Sequence, residues 1–278
     1  MSIHKYLSFL IYPVIFFGST AAIIFFLALG YSTTFSILFV QALAAIVVFS
    51  LELLMPYKKD WNQSQKDIIT DTIHYFVNYL IKQVALLLYA FLIENFIFFG
   101  VWPIDLPFTI QIIIALISID LFLYIVHRVS HYNNLLWDLH SIHHSSKRLY
   151  WINGEKRHPL HQILEGLPGI TFVMLLGAPK IVVITALGIL SIHMMLQHAN
   201  IDYSVGILKY LFAVAENHRL HHRLEHSQVN FGAMLMIWDH IFGSADLEIE
   251  RVEKVGIYGL EQFPTQYLLQ LFWPLKKK

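Results

Sequence analysis

Eight histidines fall into three tight clusters: His127 and His131; His140, His143 and His144; and His218, His221 and His222. The first reads HRxxH, and each of the others reads HxxHH. Sixteen histidines scattered at random over 278 residues would produce about 0.05 HxxHH strings, so two in one chain require a chemical reason. Neutral imidazole is a good ligand for iron, zinc, copper or nickel, and coordination geometry selects among them. Residues four apart on a helix lie about 40° from one another, and i, i+3, i+4 spacing keeps three on one face. Each cluster can therefore direct two or three imidazoles inward from a single turn. Eight exceed what one ion needs even in octahedral coordination, so two metal ions are the natural count.

Other chemistries are poorly supplied. There is no cysteine, which excludes disulfides, thiolate zinc sites, Fe–S clusters and a cysteine nucleophile. No HExxH string occurs, so the glutamate base of a zinc protease is missing from its expected place. The formal net charge is zero, which gives no reason to expect nucleic acid as a partner.

The elements that must position these histidines are apolar. Hydrophobic residues make up 56% of the chain and charged ones only 14%, a balance that points to a membrane. Four runs approach or exceed the roughly 20 residues needed to cross a bilayer: Leu7 to Leu29, Phe35 to Met55, Ile73 to Phe99, and Phe108 to Val126. The first is long and lacks a small-residue cleavage pattern, so it reads as a retained helix and not a signal peptide. The loops 30–34 and 100–107 have no Lys or Arg, whereas the loop 56–72 has Lys58, Lys59 and Lys66. The positive-inside rule then places the N-terminus and the histidine clusters on the cytosolic side. A later apolar stretch, Leu167 to Gln197, is interrupted at Gly177-Ala178-Pro179-Lys180 and reads as a helical hairpin. Val205 to Ala215 has the pattern of an amphipathic surface helix, and Gln266 to Lys278 that of a basic interfacial tail.

The expected fold is an all-α polytopic membrane protein: four transmembrane helices, a helical hairpin, and a cytosolic helical cap holding a His-rich di-metal site. With no linker or low-complexity tract to divide it, the chain reads as one domain. Residues 1–126 form membrane helices, 127–265 the histidine region and 266–278 the tail. Asp120, Tyr124, His127 and His131 recur at four, three and four, so they share one helical stripe. An acid inside a membrane span is costly and usually faces a polar interior. Asp120 is therefore expected to stand behind a ligand and accept the second N–H of its imidazole, as metal-bound histidines generally require. Asp239 is a further candidate for that role, and Asn230 a candidate to reach the centre directly or through water.

The ordered set HRxxH, HxxHH, HxxHH after several apolar helices resembles the fatty acid hydroxylase / sterol desaturase superfamily of membrane di-iron enzymes. The resemblance spans roughly Asp120 to Phe242. It includes Arg157-His158-Pro159, Gln197-His198-Ala199-Asn200, Asn230-Phe231-Gly232 and Trp238-Asp239-His240-Ile241-Phe242-Gly243. By resemblance the metal ligands are His127, His131, His140, His143, His144, His218, His221 and His222, with His198 as the ninth and His158 the candidate for a tenth. There are departures. His240 stands where relatives often have arginine, and His193 lies five residues before His198, where some relatives have a histidine four before. Five residues are about 140° around a helix, which separates those two rings.

The resemblance implies two iron ions held by histidines alone, with zinc able to take their place. It implies O2-dependent hydroxylation or desaturation of a C–H bond in a membrane lipid: fatty acyl, sterol, alkylglycerol or related. No haem, flavin or nucleotide motif is visible, so electrons must come from an external donor such as cytochrome b5, a ferredoxin or a reductase. The host membrane would be a bacterial inner membrane or the endoplasmic reticulum. The competing reading is a divalent-metal transporter, or a metal-binding membrane protein without oxygenase activity. A transporter would place its ligands at mid-membrane, whereas these clusters lie at or beyond a helix end.

Overall fold

The apolar runs of the first half fold as four helices. In the computed structural model, which describes residues 3–95, 99–225, 227–248, 251–259 and 263–276, these are α1 (Ile3–Ala28), α2 (Thr33–Leu54), α3 (Ile68–Asn95) and α4 (Phe108–Tyr132). Residues 96–98 of the third run, His226 and the last two lysines lie outside the described residues. Ser32 starts α2 by accepting the Phe35 N–H at 3.2 Å, satisfying one of the donors a helix leaves open at its start.

The elements that follow are shorter. Asn133 ends α4 in an extended conformation, and its side chain accepts the N–H groups of Leu135 and Leu136. It thereby begins α5 (Asn134–His144) one residue after α4 stops. α6 (Pro159–Leu175) opens on a proline, whose missing N–H costs nothing at that position. The turn 176–179, with Gly177 at φ +89°, leads into α7 (Lys180–His198); this is the interruption expected within Leu167–Gln197. α8 (Ala215–His222), α9 (Ile237–Phe242), α10 (Tyr267–Leu271) and α11 (Trp273–Lys276) complete an all-helical fold. Among the described residues there is no strand, only isolated bridges such as Pro56–Ile201 and Phe212–Leu235.

Among the described residues four helices are long and apolar enough to cross a membrane: Tyr6–Ala28, Thr33–Leu54, Phe108–Tyr132 and Lys180–His198; α7 is one of them, and the expected third span, now α3, is not. Their burial separates their roles. Only 28% of α1 and of α2 is buried, against 78% of α7, so α7 is the hub and the outer pair presents apolar surface to lipid. α7 packs against α1, α2, α4 and α8, and α4 packs against α6.

The C-terminal ends of α2, α4 and α7 gather at one end of the bundle. The Tyr57 N–H donates to the Asn200 carbonyl, and the Glu52 carboxylate accepts the N–H groups of Trp151 and Asn200. At the opposite end the Phe99 N–H reaches the Leu175 carbonyl, which joins the loop after α3 to the α6–α7 turn. A small cap core of Tyr57, Trp61, Leu149, Leu220, Val252 and Val255 ties the loop after α2 to α8.

One expected element differs. Val205–Ala215 is not a helix but a single 3-10 turn, Gly206–Tyr210, followed by extended chain. Gly206 takes φ +55°, and residues 211–213 exchange backbone hydrogen bonds with Met234 and Met236. That pairing buries Phe212, Ala213 and Val214, while Ile207, Tyr210 and Leu211 stay exposed.

Candidate metal centre

The cap end of the bundle brings nine histidines into two adjoining groups. One consists of His127, His131, His140, His144 and His221; the other of His143, His198, His218 and His222. Within each group one ring nitrogen per residue lies within 4.8 Å of the rest. All nine side chains are buried. α4 supplies His127 and His131 from its last turns, α5 supplies three, α7 supplies its final residue, and α8 supplies three. The groups abut through His144 and His222, whose rings stack with centroids 4.5 Å apart.

Backbone carbonyls orient the rings. His127 Nδ1–H donates to the Phe231 carbonyl at 2.8 Å and His221 Nδ1–H to Val229 at 2.7 Å. In the second group His143 Nδ1–H reaches the Lys156 carbonyl at 3.2 Å and His198 Nδ1–H the Met194 carbonyl at 3.0 Å. Each bond fixes the tautomer and turns the unprotonated Nε2 inward. The Nε2 atoms of His127, His131 and His221 then have no protein partner although they are buried.

Elsewhere Nε2 faces Nε2: His140 to His144 at 3.1 Å, His198 to His218 at 3.0 Å, His218 to His222 at 3.0 Å, and His143 to His198 at 3.3 Å. Two imidazole lone pairs that close repel unless a proton or a cation lies between them. With metal–nitrogen bonds of about 2.0–2.1 Å, neighbouring ligand nitrogens lie roughly 3.0 Å apart at right angles and roughly 3.4 Å apart at a tetrahedral angle. The observed spacings match the edges that such polyhedra would have. A proton is disfavoured: burial, reinforced by neighbouring histidines, holds the imidazoles of His140, His143, His144, His218 and His222 well below their usual range. Burial likewise lowers His221 to about 4. The donor set fits cations.

Several residues expected here act differently. His158 joins neither group: its Nδ1 accepts the Leu160 N–H at the start of α6, and its Nε2–H donates to the Leu271 carbonyl at 3.1 Å. Asp120 does not touch an imidazole. Its carboxylate accepts the N–H groups of Met234 and Leu235 and the Trp238 indole N–H, at 2.7–3.0 Å. The reason is distance: seven residues of helix separate it from His127 by roughly 10 Å, so it takes the nearer backbone donors. Asp239 does the same for the neighbouring peptides, accepting from Phe231 and Gly232 at 2.8 Å and from Ser244 Oγ at 2.6 Å. Both acids therefore fasten the segment whose Phe231 carbonyl orients His127.

Tyr124 packs in the same stripe, with its hydroxyl 2.8 Å from Ser244 Oγ and accepting from Arg128. Asn230, at φ +53°, is spent on the Asn217 and Asp246 backbones and does not face the histidines. His193 bonds Tyr12 and the Ala213 carbonyl, apart from both groups.

Other contributors left little signal in the sequence, His161 reading there only as a supporting or packing histidine. Trp137, one turn before the α5 histidines, packs its ring 5.0 Å from that of His131 and 5.4 Å from that of His144. His161 lies 4.7 Å from the His140 ring and bonds Ser130 Oγ. Gly154 lets α7 approach: a Cβ there would sit 3.2 Å from both His198 Nδ1 and the Met194 carbonyl. The orienting carbonyls are invisible to any residue motif because every residue has one.

Residues 112–244, which contain all nine histidines, match the model of the fatty acid hydroxylase family. Ornithine lipid hydroxylase OlsE of Rhizobium tropici is 28% identical over 256 residues, covering 88% of this chain and 76% of that protein. Alkylglycerol monooxygenase of Homo sapiens is 28% identical over 184 residues, 64% of this chain and 39% of that protein. Methylsterol monooxygenase 1 of Rattus norvegicus is 24% identical over 143 residues, 49% of this chain and 48% of that protein. This chain thus spans less than half the length of the latter two. No solved structure matches it at a comparable level.

Proposed function

From a chain that carries a fatty acid hydroxylase domain over residues 112–244, we propose a membrane-bound oxidoreductase that inserts oxygen into a C–H bond of a lipid. The relatives named above are lipid hydroxylases and monooxygenases. The observation that carries the reading is the pair of buried histidine groups, five and four strong, at the cap end of helices able to cross a membrane.

The metal would be iron. In the first group five converging nitrogens exceed the tetrahedral set that zinc favours and suit a six-coordinate ion with a position left open; the four of the second would leave two positions open on an ion of the same kind. Two irons held there would supply the redox chemistry that activates O2. The overall balance is O2, two electrons, two protons and the lipid C–H going to C–OH and water. Protein residues set the conditions. The Phe231, Val229, Lys156 and Met194 carbonyls hold four rings with Nε2 inward. Asp120 and Asp239 fix the segment that presents the first of those carbonyls. Burial of all nine rings keeps bulk water from the donors. Electrons would come from an external donor of the cytochrome b5, ferredoxin or reductase kind, arriving on the cytosolic face. Lipid would reach the same centre from the bilayer, because His127, His131 and His198 end membrane-length helices.

The test is lipid mass spectrometry of a host with and without the chain. A lipid that gains one oxygen supports hydroxylation, and one that loses two hydrogens supports desaturation. His140→Ala and His221→Ala should each abolish the change; full activity in either would remove it from the ligand set. Purified protein holding two irons, supplied with O2, reductant and membrane lipids yet forming no product, would refute the reading.

A further inference from the structure

Behind the metal ligands, on the opposite face of α8, lies a second feature that the oxygenase reading does not use. A cleft of about 690 Å³ opens between the cap-side ends of α1 and α2, the segment 202–209 and the outer face of α8. That volume lies within the range of small-molecule sites. The histidines do not line it; its α8 wall is Glu216, Asn217 and Arg219.

The lining carries charges of both signs. Lys59, Lys209 and Arg251 stand around it with Arg219 as its floor, and Asp202, Glu216 and Glu248 face it; Glu216 also accepts from Ser204 Oγ and the Val205 N–H, and Arg251 donates to the Tyr57 carbonyl. Among the described residues no ion pair joins these cations to these carboxylates. Arg219 is 3% exposed, donates to the Ala199 and Ile201 carbonyls, and stacks over the Tyr57 ring at 3.9 Å. Its Nε, also buried, has no partner. A site for a purely anionic headgroup would gain nothing from three carboxylates, and a site for a simple cation nothing from four basic groups. Opposite charges held apart across one cleft are complementary to a ligand that carries both.

The surroundings place that ligand in a membrane. Leu54, the last residue of α2, is 77% exposed and lines the cleft beside Met55. On the far wall Lys209 sits between the exposed Ile207 and the exposed Tyr210 and Leu211. Exposed apolar and aromatic residues flanking a lysine mark a bilayer surface.

We propose that this cleft binds the headgroup of a zwitterionic lipid bearing a primary ammonium and a phosphate or carboxylate. The ammonium lies against Asp202, Glu216 and Glu248, and the anion against Lys59, Lys209 and Arg251. The acyl chains leave past Leu54 into the bilayer. The site does not depend on metal or on oxygenase activity.

The test uses the full chain in nanodiscs, metal-free, with native mass spectrometry of retained lipid. Discs of mixed phosphatidylethanolamine, phosphatidylcholine and phosphatidylglycerol should yield protein enriched in phosphatidylethanolamine. Lys59→Glu with Lys209→Glu, both at the rim of the cleft, should lower that enrichment about fivefold to tenfold, from the loss of two pairings and the gain of repulsion. Glu248→Lys should shift retention toward phosphatidylglycerol. Free phosphoethanolamine, added as a soluble competitor, should displace little of the lipid. Enrichment unaltered by these charge reversals, preferential retention of phosphatidylglycerol by the unmodified chain, or equal displacement by soluble phosphoethanolamine would each overturn the proposal. Because the readout is binding without metal, a failed oxygenase assay leaves it untouched, and its own failure leaves the oxygenase reading standing.

Discussion

Replacing Asp239 by alanine should strip one metal from the centre and spare the other. The carboxylate accepts the buried Phe231 and Gly232 N–H groups, and the Phe231 carbonyl holds His127 by its Nδ1–H at 2.8 Å. Removing an acceptor from a buried donor costs about 1–3 kcal/mol, so the two peptides together lose about 2–6 kcal/mol of anchoring. The segment then relaxes, and with it the Phe231 and Val229 carbonyls that orient His127 and His221. Loss of such outer partners typically weakens metal binding about 10–100-fold. Both histidines belong to the group of five; the group of four is oriented by Lys156 and Met194, on other elements. Titration of metal-free protein against a competing chelator, read by elemental analysis, should therefore show one equivalent bound as in the unmodified chain and one weakened. Asp239→Asn, which keeps one acceptor oxygen, should fall between. Circular dichroism separates this from general unfolding. Two equivalents bound with unchanged affinity, or both weakened alike in a folded variant, would refute the assignment of this segment to one group.

Gly154→Ala should do the converse. Its Cβ meets His198 Nδ1 and the Met194 carbonyl at 3.2 Å, so the expected strain of roughly 1–3 kcal/mol falls on the group of four, seen as selective weakening of one equivalent in the same titration. The metal-free chain should lose stability on acidification. His221 is lowered by burial to about 4, against about 6.5 in an unfolded chain, so the unfolded state binds more protons between those values. Stability is full above about pH 6.5 and drains as pH falls toward about 4, which denaturant midpoints at pH 7.5 and 5 would show. Metal should oppose unfolding: at 1,000 times its dissociation constant it adds about 4 kcal/mol, visible as a higher Tm that a chelator reverses.

How far the molecule could be read in advance follows from what each feature depends on. Helical apolar runs and the break at Gly177-Ala178-Pro179 are local, and they fold where their residues say. The stripe of Asp120, Tyr124, His127 and His131 is buried along its length, because one helix face is a local property too. Pattern misleads where a partner is distant. Its place in the stripe points Asp120 at an imidazole, but it meets backbone 114 residues away. The amphipathic pattern of Val205–Ala215 yielded to pairing with Met234 and Met236. The His158-Pro159 motif points to a ligand by resemblance, but His158 caps α6 and contacts Leu271.

The least legible feature is the division of ligands between the two groups, and it has the largest consequence. Spacing alone does not divide the ligands, since the three rings of each HxxHH leave one helix face together. The structure divides both motifs. α5 sends His140 and His144 to the group of five and His143 to the group of four; α8 sends His218 and His222 to the group of four and His221 to the group of five. In each motif the residues four apart stay together and the one between them crosses over. The residues four apart are separated by about 40° around the helix, whereas the third ring is turned by about 60–100° from them, enough to address a neighbouring ion. Two short helices thus each grip both positions, and neither can rotate or shift without moving ligands of both. Any two ions held there would have their separation set by α5 and α8 acting as rigid spacers.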